Sequence, residues 1–427
     1  MHAGRLVVVC GAGLSMAGPS NLPSAAKVAE ECFDTYQVKV DPDCDVAMRH
    51  DLEAFAQHFA DQDTLKSVFI DELVPWKDFV RPSNAGHAAI ADFLITRTAV
   101  ASLSSNYDFL IEKYALENGF DFLSSLDGEE ATVRSHIHSP LLKFHGCATR
   151  DRPSTVWTKS QLDDPVISGR IARSKVWMAA NLRQKDLLVV GFWTDWDYLN
   201  AVLDDVVDGL APLSVTVVDL SDAAALEAKA PALWALAHAD AVTFNHVQES
   251  GAAVLDELRA AFSRNYLSQI FHSGRQTFEA ISNAPCQPHW LLGPAFGSED
   301  LYGLRRDAEG VPSGEPAVRS SPGPSDILGT FHLLLRHAGA VVTPQGYELN
   351  GRSIRVVNGS MKVLSQLKSR FIEAPAVVAT DIVVAPGSTD LPMPANVVRP
   401  GFAGNFMRPA PLAAWYDFDG ARQELGV

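Results

Sequence analysis

The chain has 427 residues, of which 47% are hydrophobic and 20% are charged, and its formal net charge at pH 7 is −16. This length favours two domains, and the composition is that of an ordinary globular protein. The acidic balance argues against a broad nucleic-acid surface and against an anionic membrane as partner, because both bind clustered lysine and arginine.

Strands alternate with helices over the first 265 residues. Short apolar runs predict buried strands at 5–10, 98–104, 141–144, 186–191, 213–220 and 241–244. Helical patterns lie between them, at 23–36, 50–60, 63–74, 84–96, 166–183, 195–208, 222–238 and 249–264. This alternation implies right-handed crossovers and a largely parallel sheet. We therefore predict an α/β fold for residues 1–265, a doubly wound, Rossmann-like parallel sheet with helical insertions.

The sequence changes in character after residue 265. Proline, glycine and serine are frequent up to residue 324, which predicts a linker or extended segment over 266–325. Residues 326–427 predict a smaller α+β C-terminal domain, with helices at 326–337 and 360–372, a hairpin-like stretch at 340–358 and a strand at 376–384. A proline-rich tail follows, to which we assign no element. We expect this domain to serve assembly or regulation, because it carries no motif with recognisable chemistry.

A glycine-rich loop follows the first predicted strand directly. Gly11, Ala12 and Gly13 permit a tight turn and a close approach of backbone to a pyrophosphate, and Ser15 can donate to a phosphate. The dehydrogenase pattern G-x-G-x-x-G is not met, because Met16 stands at its last position, and this disfavours hydride transfer. A glycine turn without any ligand, with Ser15 capping the next turn, is the alternative.

The five cysteines are widely spaced and form no C-x-x-C pair, which predicts a reducing compartment, no disulfide framework and no zinc ribbon. His136 and His138 share one side of a segment that we take as extended, but no third ligand has suitable spacing, so we expect no metal. The sequence starts without a signal-peptide pattern and contains no apolar run of about 18 residues. We expect a cytoplasmic protein with no membrane contact.

Several short motifs resemble those of the sirtuin family, in the same order along the chain. They are G-A-G-L-S at 11–15 with G-P-S-N-L-P-S at 18–24, P-S-N-A-G-H at 82–87, S-N-Y-D at 105–108 and F-H-G at 144–146. The segment G-F-W-T-D-W-D at 191–197 is more similar to the bacterial sirtuin-like proteins of antiphage defence. The resemblance covers about residues 4–262 and implies an NAD-binding domain.

The sequence also departs from the sirtuin deacylases. It lacks their four zinc-binding cysteines, Ser105 replaces the glutamine of T-Q-N-I-D, and an R-x-x-x-G-x-W segment is not evident. These departures favour the defence branch, whose members typically hydrolyse NAD when a phage component triggers them. That branch implies NAD as the substrate, a homo-oligomer and a partner such as a HerA-type ATPase or another defence protein.

The resemblance assigns catalytic roles to three residues. Asn106 would hold water or ribose hydroxyls near the anomeric carbon, Asp108 would contact nicotinamide or ribose, and His145 would be the general base. Each also has a structural alternative: Asn106 as a turn asparagine, Asp108 as a helix cap and His145 as a structural histidine.

Three further residues are assigned to the NAD pocket. Gly191 would line it, Thr194 or Asp195 would close it unless Asp195 caps a helix, and Asp219, at the end of a strand, would bind the adenosine ribose. The alternative for Asp219 is a cap for the helix that starts near residue 222.

The predicted activity is hydrolysis of the nicotinamide–ribose bond of NAD to nicotinamide and ADP-ribose, an NAD glycohydrolase used in antiphage defence by NAD depletion. Two alternatives remain open. One is a nucleotide-binding sensor or assembly subunit without chemistry, and the other is a sirtuin-type deacylase or ADP-ribosyltransferase.

Overall fold

The computed structural model describes residues 4–118, 120, 123–138, 141–192, 213–235, 238, 242–310, 325–373, 380–389 and 413–427, with the backbone alone at 134–138, 325, 372 and 373. The chain divides into two compact units, Met1–Asp256 and Glu257–Val427.

The first unit is built on a six-stranded sheet. Its strands are β1 (Leu6–Cys10), β2 (Ala99–Ser104), β3 (Leu141–Lys143), β4 (Asp186–Val190), β5 (Ser214–Asp219) and β6 (Thr243–Gln248). They lie in the order β3-β2-β1-β4-β5-β6, and every neighbouring pair is parallel. This is the doubly wound order, with the reversal between β1 and β4. The predicted fold class is confirmed.

The helices of the first unit are α1 (Ala12–Ser15), α2 (Ala25–Lys39), α3 (Leu52–Ala60), α4 (Ala85–Ile95), α5 (Leu110–Glu117), α6 (Gly128–His138), α7 (Pro165–Leu182), α8 (Ala223–Lys229) and α9 (Pro231–Ala235), and α10 (Gly251–Ser282) begins there. Short 3-10 turns occupy Val46–His50, Trp76–Phe79, Arg152–Ser154 and Lys159–Asp163, and Leu65–Leu73 is π-helical. The predicted helix at 195–208 lies outside the described residues.

Local signals explain where some of these helices begin. Ser24 caps α2 by accepting the backbone N–H of Lys27, so the helix starts two residues after Pro23. Helix α6 was not predicted, and the expectation of an extended segment around His136 and His138 was wrong. Asp127 accepts the N–H of Glu130, and this cap starts a helix in a stretch without clear apolar periodicity.

The central strands are buried on both faces of the sheet. Val7 and Val9 pack in one core with Trp177 of α7, whereas Val8 and Cys10 point to the opposite face and are fully buried. A strand covered on both faces reads as a continuous apolar run, which is why the sequence V-V-V-C predicted β1 so clearly. A second core, between α2, α3 and the π-helical segment, is rich in aromatic rings.

The second unit contains a mixed five-stranded sheet, with strands β7 (Val341–Thr343), β8 (Gly346–Leu349), β9 (Arg352–Val356), β10 (Ile382–Val384) and β11 (Ala414–Tyr416). The order is β11-β10-β9-β8-β7, antiparallel from β7 to β9 and parallel from β9 to β11. Its helices are α11 (Ser298–Glu309), α12 (Ser325–His337), α13 (Leu364–Glu373) and α14 (Phe418–Leu425), with a 3-10 turn at Pro288–Leu291.

The expected linker over 266–325 is wrong for much of that range. Helix α10 continues to Ser282, and α11 follows at Ser298–Glu309. Leu267, Phe271 and Phe278 recur at helical spacing and are buried. The apolar face of α10 therefore continues past residue 265, where we predicted the first domain to end. The proline-rich composition begins only at residue 285, so it does not indicate a linker over residues 266–284. Residues 311–324 lie outside the described residues.

The tail also contains elements that we did not predict. Strand β11 extends the sheet beside β10, and α14 begins where Asp417 accepts the N–H of Gly420 and ends at Gly426, which has a left-handed φ of 68°. The strand is only three residues long, too short for a periodic signal.

Candidate functional site

The candidate site lies where the strand order reverses. The chain leaves β1 and β4 at neighbouring carboxyl ends and then turns to opposite sides, which opens a crevice in doubly wound sheets. The glycine loop follows β1, Gly191 follows β4, and the loop with Asn106 and Asp108 follows β2 on the other side of β1. Three of the predicted loops therefore share one edge of the sheet.

Three glycines hold the loops after β1 and β4 together. The N–H of Gly11 donates to Val190 (3.1 Å) and that of Gly13 donates to Gly191 (3.0 Å). A Cβ on Gly13 would lie 2.8 Å from the Cα of Gly191, and Gly191 has a φ of +53°. These glycines are required for backbone-to-backbone contact. The N–H groups of Gly11 and Gly13 already donate to backbone oxygens. Phosphate binding by this loop therefore remains a prediction, which depends on the lack of side chains that lets a phosphate approach the backbone closely.

Ser15 stands at the centre of a buried hydrogen-bond network. Its hydroxyl donates to Asp108 Oδ2 at 2.7 Å, and it lies 3.1 Å from both His87 Nε2 and Asn106 Nδ2. The side chain is 1% exposed. With one hydrogen donated and two accepted, the hydroxyl has no free lone pair, so it is a structural centre and not a nucleophile.

The network fixes the tautomer of His87. The backbone N–H of Asn84 donates to His87 Nδ1 (3.1 Å), so the ring hydrogen lies on Nε2 and is donated to Ser15. Burial is the main cause that lowers the pKa of His87 to about 4. The imidazole is therefore neutral at pH 7, as its two hydrogen bonds require.

Asn106 is oriented by two acceptors. Its Nδ2 donates to the backbone oxygen of Gly11 at 3.0 Å and to Ser15 Oγ, and because Gly11 O can only accept, the amide nitrogen must face it. Its Oδ1 has no hydrogen bond to any residue that the structure describes, and the side chain is half-buried. Asn106 can therefore offer a fixed acceptor oxygen to a ligand or a water molecule.

Asp108 is 5% exposed, and its two carboxylate oxygens are both engaged. Oδ2 accepts from Ser15, and Oδ1 accepts the N–H of Leu110 (3.2 Å) at the start of α5. Asp108 thus binds the first backbone N–H of α5, although the N-cap position of that helix is Phe109. A direct contact of Asp108 with substrate stays a prediction.

A buried ion pair supports the loop that carries Asp108. The Lys143 ammonium, at the end of β3, donates to the backbone oxygen of Asp108 and lies 3.3 Å from Glu112 Oε1. Both side chains are 2% exposed. Burial alone would lower the pKa of Lys143, but the charge of Glu112 reverses this and keeps it raised, so the lysine stays charged.

His145 follows β3 in the adjacent loop. The loops after β2 and β3 are joined by a hydrogen bond from Ala148 N–H to Tyr107 O (2.7 Å). Within the loop after β3, Val156 N–H donates to His145 O (2.9 Å). Burial, followed by the charge of Arg170, lowers the pKa of His145 to about 3. The imidazole is therefore neutral at pH 7. Its role as a base stays a prediction.

Asp219 ends β5 and is 9% exposed. Its Oδ1 accepts from Lys229 Nζ and from the N–H of Ser221, both at 2.7 Å. Burial alone would raise the pKa of Asp219, but these hydrogen bonds lower it, so the group is a carboxylate. It does not cap the next helix, because Asp222 does so. Thr194 lies outside the described residues.

The sequence analysis named Asn84 and His87 only as part of the motif at 82–87, without a role in the site, and it did not consider Lys143. Asn84 caps α4 by accepting the N–H groups of Gly86 and His87, and its Nδ2 binds the backbone oxygen of Leu14 (2.8 Å). The spacing N-x-x-H is that of a reciprocal cap, which is a usable signal. A buried lysine at the end of a strand has no comparable signal.

Within the described ranges, no group of three or more His, Cys, Asp or Glu is placed to hold a metal ion. No helix of the described part of the chain is long and apolar enough to cross a membrane. The five cysteines are buried and have free thiols.

No protein-family model and no curated protein matches the chain. It is similar in fold to solved structures of Sir2 homologues. One, a complex with NAD, is 14% identical, with 59% of this chain and 87% of that chain covered and a TM-score of 0.33. A mutant Sir2 homologue in complex with ADP-ribose is 13% identical, with 59% and 89% covered and a TM-score of 0.30. Similarity at this level says nothing about ligand, activity or branch.

Proposed function

We propose that the chain is an NAD glycohydrolase that cleaves the nicotinamide–ribose bond to nicotinamide and ADP-ribose. The observation that carries this proposal is the orientation of Asn106. Ser15 and Gly11 hold its amide nitrogen, and its oxygen, which has no partner among the described residues, lies at the edge of the sheet where doubly wound folds bind nucleotides.

The residues suit the chemistry of this bond. Its cleavage builds oxocarbenium-like positive charge on the ribose, and nicotinamide leaves as a neutral molecule that needs no general acid. The carbonyl oxygen of Asn106 is a fixed dipole that can orient a water molecule or a ribose hydroxyl and face developing positive charge.

The proton of the attacking water needs only a weak base. Once the water oxygen bonds to the anomeric carbon, it becomes strongly acidic, so a neutral imidazole of low pKa is sufficient. His145 meets this condition at neutral pH. Asp108, held by Ser15 and Leu110, supports the loop and is the third residue that we assign to the site.

NAD would lie across the reversal of the strand order. Backbone at Ala12 and Gly13 is exposed there, Gly191 lets the two loops meet closely, and the carboxylate of Asp219 ends β5. We assign the pyrophosphate to the first loop, with Gly11, Ser15 and Thr194 in supporting positions, and the adenosine ribose to Asp219. The proposal includes no metal.

The proposal is tested by incubating the purified full chain with NAD and separating the products. Free nicotinamide and ADP-ribose in equal amounts are expected. ADP-ribose linked to protein or acyl groups would favour a transferase or deacylase, and NAD binding without turnover would favour a sensor.

Two variants test the site assignment. Asn106→Ala and His145→Ala should each abolish hydrolysis, whereas Asn181→Ala and His58→Ala, at half-buried positions on α7 and α3, should retain it. Full turnover in both site variants would contradict the assignment, and circular dichroism of each variant establishes that the fold is retained.

We also propose a cellular role in antiphage defence by NAD depletion, in the cytoplasm, as a homo-oligomer and with a HerA-type ATPase or another defence protein as partner. This rests on the sequence motif at 191–197. Loss of NAD in infected cells that express the chain, but not the Asn106→Ala variant, is the expected result.

A further inference from the structure

Strand β6 forms an open edge of the sheet in the first unit. It is the last strand in the order and pairs on one side only, with β5. Four of its six side chains are exposed, those of Thr243, Asn245, Val247 and Gln248. The opposite edge is protected, because the backbone of Ser125 exchanges hydrogen bonds with β3. No residue that the structure describes does the same for β6.

Every second residue of β6 directs its backbone groups away from the sheet. The N–H groups of Thr243 and Glu249 donate to backbone oxygens at the two ends of β5, over 3.5 and 3.2 Å. Because backbone groups alternate along a strand, the odd-numbered residues between them face β5 as well. The outward N–H and C=O groups belong to the even-numbered residues, Phe244, His246 and Gln248. These groups have no backbone partner among the described residues.

The side chains of β6 do not prevent pairing with another strand. Native proteins protect exposed edges with charged side chains, proline or bulges. The sequence T-F-N-H-V-Q contains no proline, lysine, arginine or carboxylate, and β6 follows β5 without a bulge. The whole chain has a net charge of −16, so two copies repel each other over most of their surface. An uncharged edge is therefore the kind of surface at which two copies can meet.

We propose that β6 pairs antiparallel with β6 of a second copy, across a two-fold axis at His246. Most soluble homo-oligomers are built on two-fold axes, and this one joins the two sheets into a single sheet. His246 then faces His246 of the second copy, and Phe244 faces Gln248 of the second copy, as hydrogen-bonded pairs. Every outward N–H and C=O group of both edges finds a partner in this register. The proposal specifies the homo-oligomer named above and does not depend on NAD hydrolysis.

The exposed side chains fit this register. Asn245 lies opposite Val247 of the second copy in a non-hydrogen-bonded pair, where side chains are close together. Val247, which is 37% exposed in the single chain, is covered by this contact. Glu249 follows β6 directly and lies opposite Thr243 of the second copy, so the carboxylates of the two copies do not face each other.

Sedimentation velocity of the full chain over a dilution series tests the proposal. A mass of two chains, or of a higher even number, is expected. His246→Lys places two ammonium groups opposite each other at the axis and should reduce the mass to half or less, because like charges directly opposite destabilise a strand pair. Gln62→Lys, in the exposed turn after α3, adds the same charge elsewhere and should leave the mass unchanged.

A single-chain mass of the unchanged protein at every concentration would overturn the proposal, whether the edge stays open or takes a strand from another protein. An odd number of chains, or equal masses for the two variants, would also overturn it. Neither the mass nor the crosslink described next involves NAD, so a failure of the proposed hydrolysis would leave both results interpretable.

Cysteine crosslinking tests the register and does not depend on the folding of His246→Lys. In the variant Asn245→Cys/Val247→Cys, the Cα atoms of the facing pair are about 4.5 Å apart, within the range that a disulfide spans. Oxidation should link this double variant into a dimer, since the five native cysteines are buried. Asn245→Cys alone should not link, because the two copies of that residue are diagonal neighbours, about 7–8 Å apart. No link in the double variant, or an equal yield in the single one, would overturn the proposal.

Discussion

Ser15 Oγ donates to Asp108 Oδ2 across 2.7 Å, which joins the loop after β1 to the loop after β2 although 93 residues separate the two in sequence. The same hydroxyl accepts from His87 and from Asn106. One buried oxygen therefore sets the positions of three polar side chains.

Replacing Ser15 with alanine should damage both activity and stability. Two buried donors and one carboxylate lose their partner, and a buried group left unpaired costs about 1–3 kcal/mol. We expect NAD hydrolysis to fall at least tenfold, since Asn106 keeps only its hydrogen bond to Gly11, together with a lower urea midpoint. Ser168→Ala, at the exposed start of α7, is the control and should change neither quantity.

Replacing Gly191 with alanine should destabilise the first unit. A Cβ there would lie 2.7 Å from Gly13 Cα, and its φ of +53° disfavours any L side chain, which costs on the order of 1–3 kcal/mol before the overlap is counted. Gly303→Ala is the matched control, because Gly303 lies in α11 with nothing within 4 Å of the added carbon. It should stabilise the protein by about 0.5–1 kcal/mol in thermal unfolding. Similar effects of the two substitutions would contradict this account.

Lys143→Met should be more harmful than the double variant Lys143→Met/Glu112→Gln. The single change leaves the Glu112 carboxylate buried without a counter-charge, which costs about 3–5 kcal/mol, whereas the double change removes both charges. Urea denaturation of the two variants measures the difference. A double variant that is no more stable than the single one would show that the unpaired Glu112 carboxylate is not the cause of the destabilisation.

Both the single and the double variant should have lower NAD hydrolysis than the unchanged chain, because the backbone oxygen of Asp108 loses its hydrogen bond from Lys143 in both. Recovery of stability without recovery of activity therefore separates the positioning role of Lys143 from its contribution to folding.

Acidification should destabilise the protein through His87. Its pKa is about 4 when folded and ~6.5 when unfolded, so the unfolded chain binds the additional proton between these values. Stability falls as the pH falls through this window, by about 2 kcal/mol from pH 7 to pH 5 for this one residue. His87→Gln should remove this loss of about 2 kcal/mol between pH 7 and pH 5, measured as the slope of stability against pH. An unaltered slope in His87→Gln would show that the histidine is not buried as a neutral ring.

The sequence predicted the sheet of the first unit because its signal is local. Strand β1 is an unbroken apolar run that ends at glycine, and Gly11, Asn106 and Asp108 follow strands whose carboxyl ends share one edge. The network itself was not predictable in this way. His87 reaches Ser15 across 72 residues, and Lys143 reaches Glu112 across a sheet edge, so neither contact leaves a periodic pattern.

Composition was a weaker guide in the second unit. The prolines and glycines between 285 and 324 led us to end helix α10 too early, although Leu267, Phe271 and Phe278 continue its apolar face. Periodicity of apolar residues was informative where composition was not.

The contact between Gly11, Gly13 and Gly191 restricts how this crevice can be altered, in evolution or by engineering. No one of the three can acquire a side chain while the backbone keeps its place, because a first carbon on Gly11 or Gly13 would overlap Gly191, and one on Gly191 would overlap Gly13. New specificity has to come from positions that face outward, such as Ala12, and the three glycines must be kept or replaced as a set.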